Sequence, residues 1–158
     1  MCARMVEDAR LEDGGEKSLR LHAHDGADLE VISSLLQDAV FSMGDLKWHA
    51  SKREFAILIN RFRWEAQVKR PERVRAVLQI QDVMAVRSQG IDRQDTEVVL
   101  SLLALQWQPG EDGMGTLAFI LAGDGEIALQ VEAVNVTLQD VTRPYTAPSR
   151  QRPSHPDA

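Results

Sequence analysis

Lysine, arginine and histidine are all missing from Gln94 to Thr142, a stretch that holds 8 acidic residues. Cysteine is nearly absent as well. The one thiol, Cys2, lies in a polar N-terminal segment, so no disulfide can form within the chain. Nothing near Cys2 would lower its pKa, which speaks against a reactive role. Aromatic residues make up only 5% of the chain, and no proline precedes Pro71. No apolar run approaches the ~18 residues that cross a bilayer as a helix. Residues 1–20 lack the apolar centre of a secretory signal. These absences set the expectation of a cytoplasmic protein without membrane contact. The 158 residues suffice for one domain with a core of its own.

What is present is an uneven charge. Residues 4–45 carry 4 basic and 10 acidic side chains, whereas residues 47–93 carry 11 basic and 5 acidic. The order of motifs in the basic part returns in the acidic part. Leu46-Lys47-Trp48, Phe55 to Ile59 and Leu78 to Val83 are followed by Leu105-Gln106-Trp107, Leu117 to Leu121 and Leu129 to Val134. Self-similarity of this kind predicts two similar β units, about 46–90 and 98–141, packed against each other. Their opposite charges suit either attraction within the monomer or a partner.

Leu19 to His24 alternates apolar and polar residues, the mark of a short half-buried strand. Asp25 then reads as an N-cap, and Leu29, Ile32, Leu36, Ala39, Val40 and Met43 form one stripe of a helix from Asp28 to Ser42, ended near Gly44. Leu46 to His49 and Glu54 to Trp64 predict a hairpin turning at Ser51-Lys52. Val74 to Ile80 is a third strand, which Val83 to Val86 continues past a bulge at Asp82. Ile91 to Glu97 is a polar bridge. The apolar run from Val98 to Gln108 reads as a strand in its later part. Pro109 to Gly115 forms a loop, Gly123-Asp124-Gly125 a tight turn between Thr116–Leu121 and Ile127–Val131, and Val134 to Leu138 a last strand. The fold class is therefore α+β: one N-terminal amphipathic helix on a mostly antiparallel sheet or partial barrel of about six to eight strands. Residues 1–18 are expected to fray, 19–146 to form the domain, and 147–158 to be a flexible proline-rich tail.

Asn60-Arg61-Phe62-Arg63-Trp64, with Arg73 and Arg75, is the main binding candidate. Guanidinium groups on a sheet face suit carboxylates or phosphates. Strand alternation puts Phe62 and Trp64 opposite Arg61 and Arg63, which predicts a core aromatic pair beneath a solvated basic face. Arg87, Asp92 and Arg93, around Gly90, form a second polar segment that could hold a small anion or contact a partner. The plainer reading of that segment is turn chemistry. His22 and His24 share a strand face and His49 could approach them, but no recognised zinc spacing exists. No nucleophile motif, phosphate loop or paired carboxylates occur, so the sequence assigns no catalytic, metal or cofactor-binding residue.

Ile32 to Ala39, Asn60 to Glu65, Val86 to Asp92, Leu100 to Gly113, Leu121 to Gly125 and Val136 to Tyr145 resemble one family over roughly residues 18–150. That family is DUF2948, bacterial and mostly alphaproteobacterial, catalogued as a domain of unknown function. The resemblance implies a cytoplasmic bacterial protein and transfers no activity, cofactor or catalytic residue. From the residues, the expected function is a non-enzymatic protein-interaction module using a basic sheet face, with a protein partner or a homodimer. RNA or nucleotide binding on the same face is the alternative. A small enzyme or anion-binding protein with its site near Arg87 and Asp92 is the second.

Overall fold

The structure, a computed structural model, describes residues 18–65, 72–143 and 145–146. Residues 1–17 of the expected frayed segment 1–18, and the tail 147–158, lie outside the described residues; of the connection that the sequence predicts as exposed over 66–72, residues 66–71 lie outside them and Glu72 begins a strand. Among the described residues, eleven antiparallel strands, one α-helix and two short 3-10 segments make up the fold.

β1 (Arg20–Ala23) leads directly into α1 (Gly26–Leu35). The predicted cap is present: the Asp25 carboxylate accepts a hydrogen bond from the Asp28 backbone N–H at 2.8 Å. Leu29, Ile32 and Leu36 are buried along the predicted stripe. The helix does not run to Ser42, however. It stops at Leu36, Asp38 takes a positive φ of 63°, and Val40–Ser42 becomes strand β2. Sheet pairing overrides helical periodicity there, because β2 bridges the two halves of the sheet, to Asn60 on one side and to Val99–Ser101 on the other.

β3 (Leu46–His49) and β4 (Glu54–Phe62) form the predicted hairpin, turned by a 3-10 segment at Ala50–Lys52 and by Arg53 at φ 55°. β5 (Glu72–Ile80) pairs with β4. β6 (Val83–Gln89) follows after only Gln81 and Asp82. β7 (Val99–Pro109), β8 (Gly115–Leu121) and β9 (Glu126–Val131) form a meander at the expected places. β10 (Val136–Asp140) and β11 (Tyr145–Thr146) complete the chain. The strand count exceeds the expected six to eight, since β2 and β11 are too short to show a period. The sheet bulge also falls one step later than expected: Asp82 turns the chain with φ 61°, and the register shifts between Val83 and Ala85.

The ladders split into two arrays. The first is β1-β10-β5-β4-β3 and the second β6-β9-β8-β7, with β2 spanning from β4 to β7. Each array takes a strand from the opposite part of the chain, β10 beside β5 and β6 beside β9. Segments 46–90 and 98–141 are therefore not separate blocks. The motif alignment also slips: Leu78 pairs with Ile57, while Leu129 pairs with Leu117, two residues off the match of Phe55 to Leu117. The two crossovers touch where they exchange. The Gln81 N–H donates to the Asn135 carbonyl and the Glu132 N–H to the Asp82 carbonyl, each at 3.0 Å. Side chains from both arrays fill one core, in which Phe55 meets Phe119 edge to face at 5.8 Å. α1 packs between β1 and β7.

Candidate functional site

β4 decides where the arginines go. Phe55, Ile57 and Ile59 are all buried on its core side, and Arg61 and Arg63 continue that same alternating row. The expected solvated basic face is thereby corrected: Arg61 is 0% exposed and Arg63 6%. Phe62 and Trp64 point to the opposite side, so the faces are inverted relative to the expectation.

Burial of a guanidinium demands partners, and Arg61 has them all. Its Nε and Nη2 donate to the two Asp140 oxygens at 3.0 and 2.9 Å. Nη1 and Nη2 donate to the two Glu65 oxygens at 3.0 and 2.8 Å, and Nη1 also reaches the Phe62 carbonyl at 3.1 Å. All five N–H donors are thus satisfied. Burial alone would lower the Arg61 pKa, but its hydrogen bonds to the Glu65 and Asp140 carboxylates, with their negative charge, outweigh it and hold the pKa above the ordinary arginine value. Burial likewise pushes Glu65 up, and the charged hydrogen bonds from Arg61 reverse this, leaving it below the usual carboxylate range. Asp140 also accepts the Leu19 backbone N–H at 3.1 Å, tying β1 and β10 to β4. Arg63 donates to Glu72 at 2.6 Å. These groups form a hub in which both buried guanidinium groups meet carboxylates.

Arg73 and Arg75 belong to the other face. On β5, Val74, Ala76, Leu78 and Ile80 point into the core, so Arg73 and Arg75 point out. Arg73 lies over the Phe62 ring, its guanidinium carbon 3.7 Å from the ring centre, and donates to the Asn60 carbonyl at 3.1 Å. Phe62 and Trp64 are 5.6 Å apart, and the indole N–H donates to the Gln37 carbonyl at 3.0 Å. The predicted cluster of four arginines is therefore split by the sheet into an internal pair and an external pair.

A different set of cations gathers on the outer face of the first array. Arg20, Lys47 and Arg75 are exposed there, and none forms an ion pair among the described residues. Register places Arg20 in one row with Gln139, Val77 and Leu58, and Lys47 in the next with Ala56, Gln79, Thr137 and His22. Ala56, Leu58 and Val77 are half-buried and make an aliphatic floor. Glu54, an acid on the same face, is hydrogen-bonded to Gln79. Sequence reading missed Arg20 and Lys47 because they lie on strands far from Arg75 in the chain. The alternation in 19–24 and 46–49 was the available signal.

Arg87 is exposed on β6, and Arg93 lies in the following loop. Asp92 accepts the Gln94 N–H at 3.0 Å, and Gly90, at φ 70°, packs on Asp124 and Gly125. These are local turn contacts. His22 and His24 stack with ring centres 4.0 Å apart, and His22 Nε2 lies 2.7 Å from Asn135 Oδ1. His49 sits on β3, with β10, β5 and β4 between it and β1. Among the described residues, no group of three or more acidic, histidine or cysteine side chains could hold a metal ion.

An antiparallel α+β domain with exchanged strands, an internal charged hub and a basic outer face is the class that this geometry defines. The chain belongs to the family described as Protein of unknown function (DUF2948), whose model matches residues 19–155. No curated protein matches it. No solved structure matches it either.

Proposed function

We propose that this protein is a non-enzymatic interaction module of the bacterial cytoplasm that binds an acidic protein surface through the outer face of β1, β10, β5, β4 and β3. The observation that carries this reading is the trio Arg20, Lys47 and Arg75, exposed over an aliphatic floor with no carboxylate paired to them among the described residues. Five strands at about 4.8 Å spacing give a face about 19 Å wide. The arrangement favours protein over single-stranded RNA at the Phe62 end of the face, because base stacking there needs an exposed ring. Phe62 is 4% exposed and lies against Trp64 and beneath Arg73. The common ladder order of β3-β4-β5 and β7-β8-β9 supports related β units whose last strands have changed places.

The test is a tagged pull-down from nuclease-treated lysate, comparing the natural protein with Arg20→Glu/Lys47→Glu/Arg75→Glu. Protein partners that survive nuclease and are lost on charge reversal support the reading. Loss of every partner with nuclease moves RNA ahead, and retention by the reversed variant removes this face from the account.

A further inference from the structure

β6 carries an inference independent of the basic outer face. It is the last strand of its array: β9 pairs along one side, and among the described residues no strand pairs along the other. At its base the Val83 N–H donates to the Arg53 carbonyl at 2.9 Å, and the bulge at Met84 follows. From Ala85 to Gln89 the strand offers an edge whose backbone groups can template another strand.

Side chains there are less covered than on the neighbouring strand. On β9, Ile127, Leu129 and Val131 are no more than 2% exposed. Val86, which pairs with Leu129 on the same inward side, is only half-buried, as is Ile91 just beyond β6. One more strand would bring apolar groups over both. On the outward side Ala85, Arg87 and Gln89 are exposed, and Arg87 forms no ion pair among the described residues.

Arg87 also selects the occupant. Two copies joined antiparallel about Val86, Arg87 or Ser88 would set the two arginines opposite or diagonal to each other, and like charges so placed destabilise a ladder. An acidic residue in that position does the reverse. We propose that the β6 edge is a strand-addition site for an extended segment of another protein in which apolar and acidic residues alternate. Its apolar side chains would lie over Val86 and Ile91 and an acidic one against Arg87.

The test is an NMR titration of the isotope-labelled full chain with a short peptide alternating valine and glutamate, against a valine–lysine counterpart. Amide shifts confined to 85–89, with slowed hydrogen exchange there and several-fold weaker binding of the lysine peptide, are expected. Arg87→Glu should reverse the preference, while Arg20→Glu/Arg75→Glu should leave it unchanged, separating this edge from the basic face. Absence of shifts on β6, equal binding of the two peptides, or a preference that survives Arg87→Glu would each overturn the proposal.

Discussion

Arg61 shows how one side chain can join elements distant in the chain. It is held by Asp140, 79 positions away, and by Glu65 on the turn that follows its own strand. A buried ion pair is weak grounds for claiming net stability, but removing one member leaves the other charge stranded. Arg61→Met should therefore cost about 3–5 kcal/mol in urea unfolding. Arg61→Met combined with Asp140→Leu should recover part of that loss. Arg75→Ala, on the exposed face, should stay within about 0.5 kcal/mol. The hub also predicts an acid response. Glu65 has its pKa lowered in the folded protein, so its contribution is complete above the ordinary carboxylate value and is lost as pH falls through the lowered one. Glu65→Gln should flatten the acid limb of stability measured against pH. An unchanged limb would show that Glu65 takes no part in it.

At the scale of elements, the hairpin of β7 and β8 closes against a steric limit. Gly115 pairs with Pro109, and a Cβ there would lie 2.6 Å from the Gln108 carbonyl and 2.6 Å from the Trp107 ring. Gly115→Ala should lower the melting temperature by several degrees, in line with a loss of about 1–3 kcal/mol from overpacking. The helix start is a milder case. Asp25→Ala removes the cap on the Asp28 N–H and should cost about 1 kcal/mol. A capping loss larger than that of Gly115→Ala would show that the cap matters more than the steric limit at Gly115.

The whole molecule is knit by exchange: β10 completes the array of β4 and β5, and β6 completes that of β8 and β9. Neither array can form without both halves of the chain, so unfolding should be a single cooperative transition. Leu78→Ala in the first array and Leu129→Ala in the second, both fully buried, should each cost about 2–5 kcal/mol and move the same transition. Two separable transitions in calorimetry would contradict this. The charge imbalance acts at the same scale. Arg53 of the basic part meets Glu132 of the acidic part at 2.8 Å, and Arg61 meets Asp140, so some of the opposite charge is used internally. Arg20, Lys47, Arg75 and Arg87 are among the cations that enter no ion pair among the described residues.

The sequence by itself determined what depends on neighbours in the chain. Turn residues at 51–52, 109–115 and 123–125, alternation in β1, β4 and β5, and the Asp25 cap all act over a few residues, and the structure turns, alternates and caps the chain at these places. Alternation also showed that Arg61 and Phe62 face opposite ways. Only the tertiary structure decided which of them faces in. Apolar residues normally claim the core, but Asp140 and Glu65 meet the inward guanidinium with a full set of hydrogen bonds, while Arg73 and Trp64 cover the outward ring. That choice rests on groups brought together by strand exchange, and no local pattern carries it.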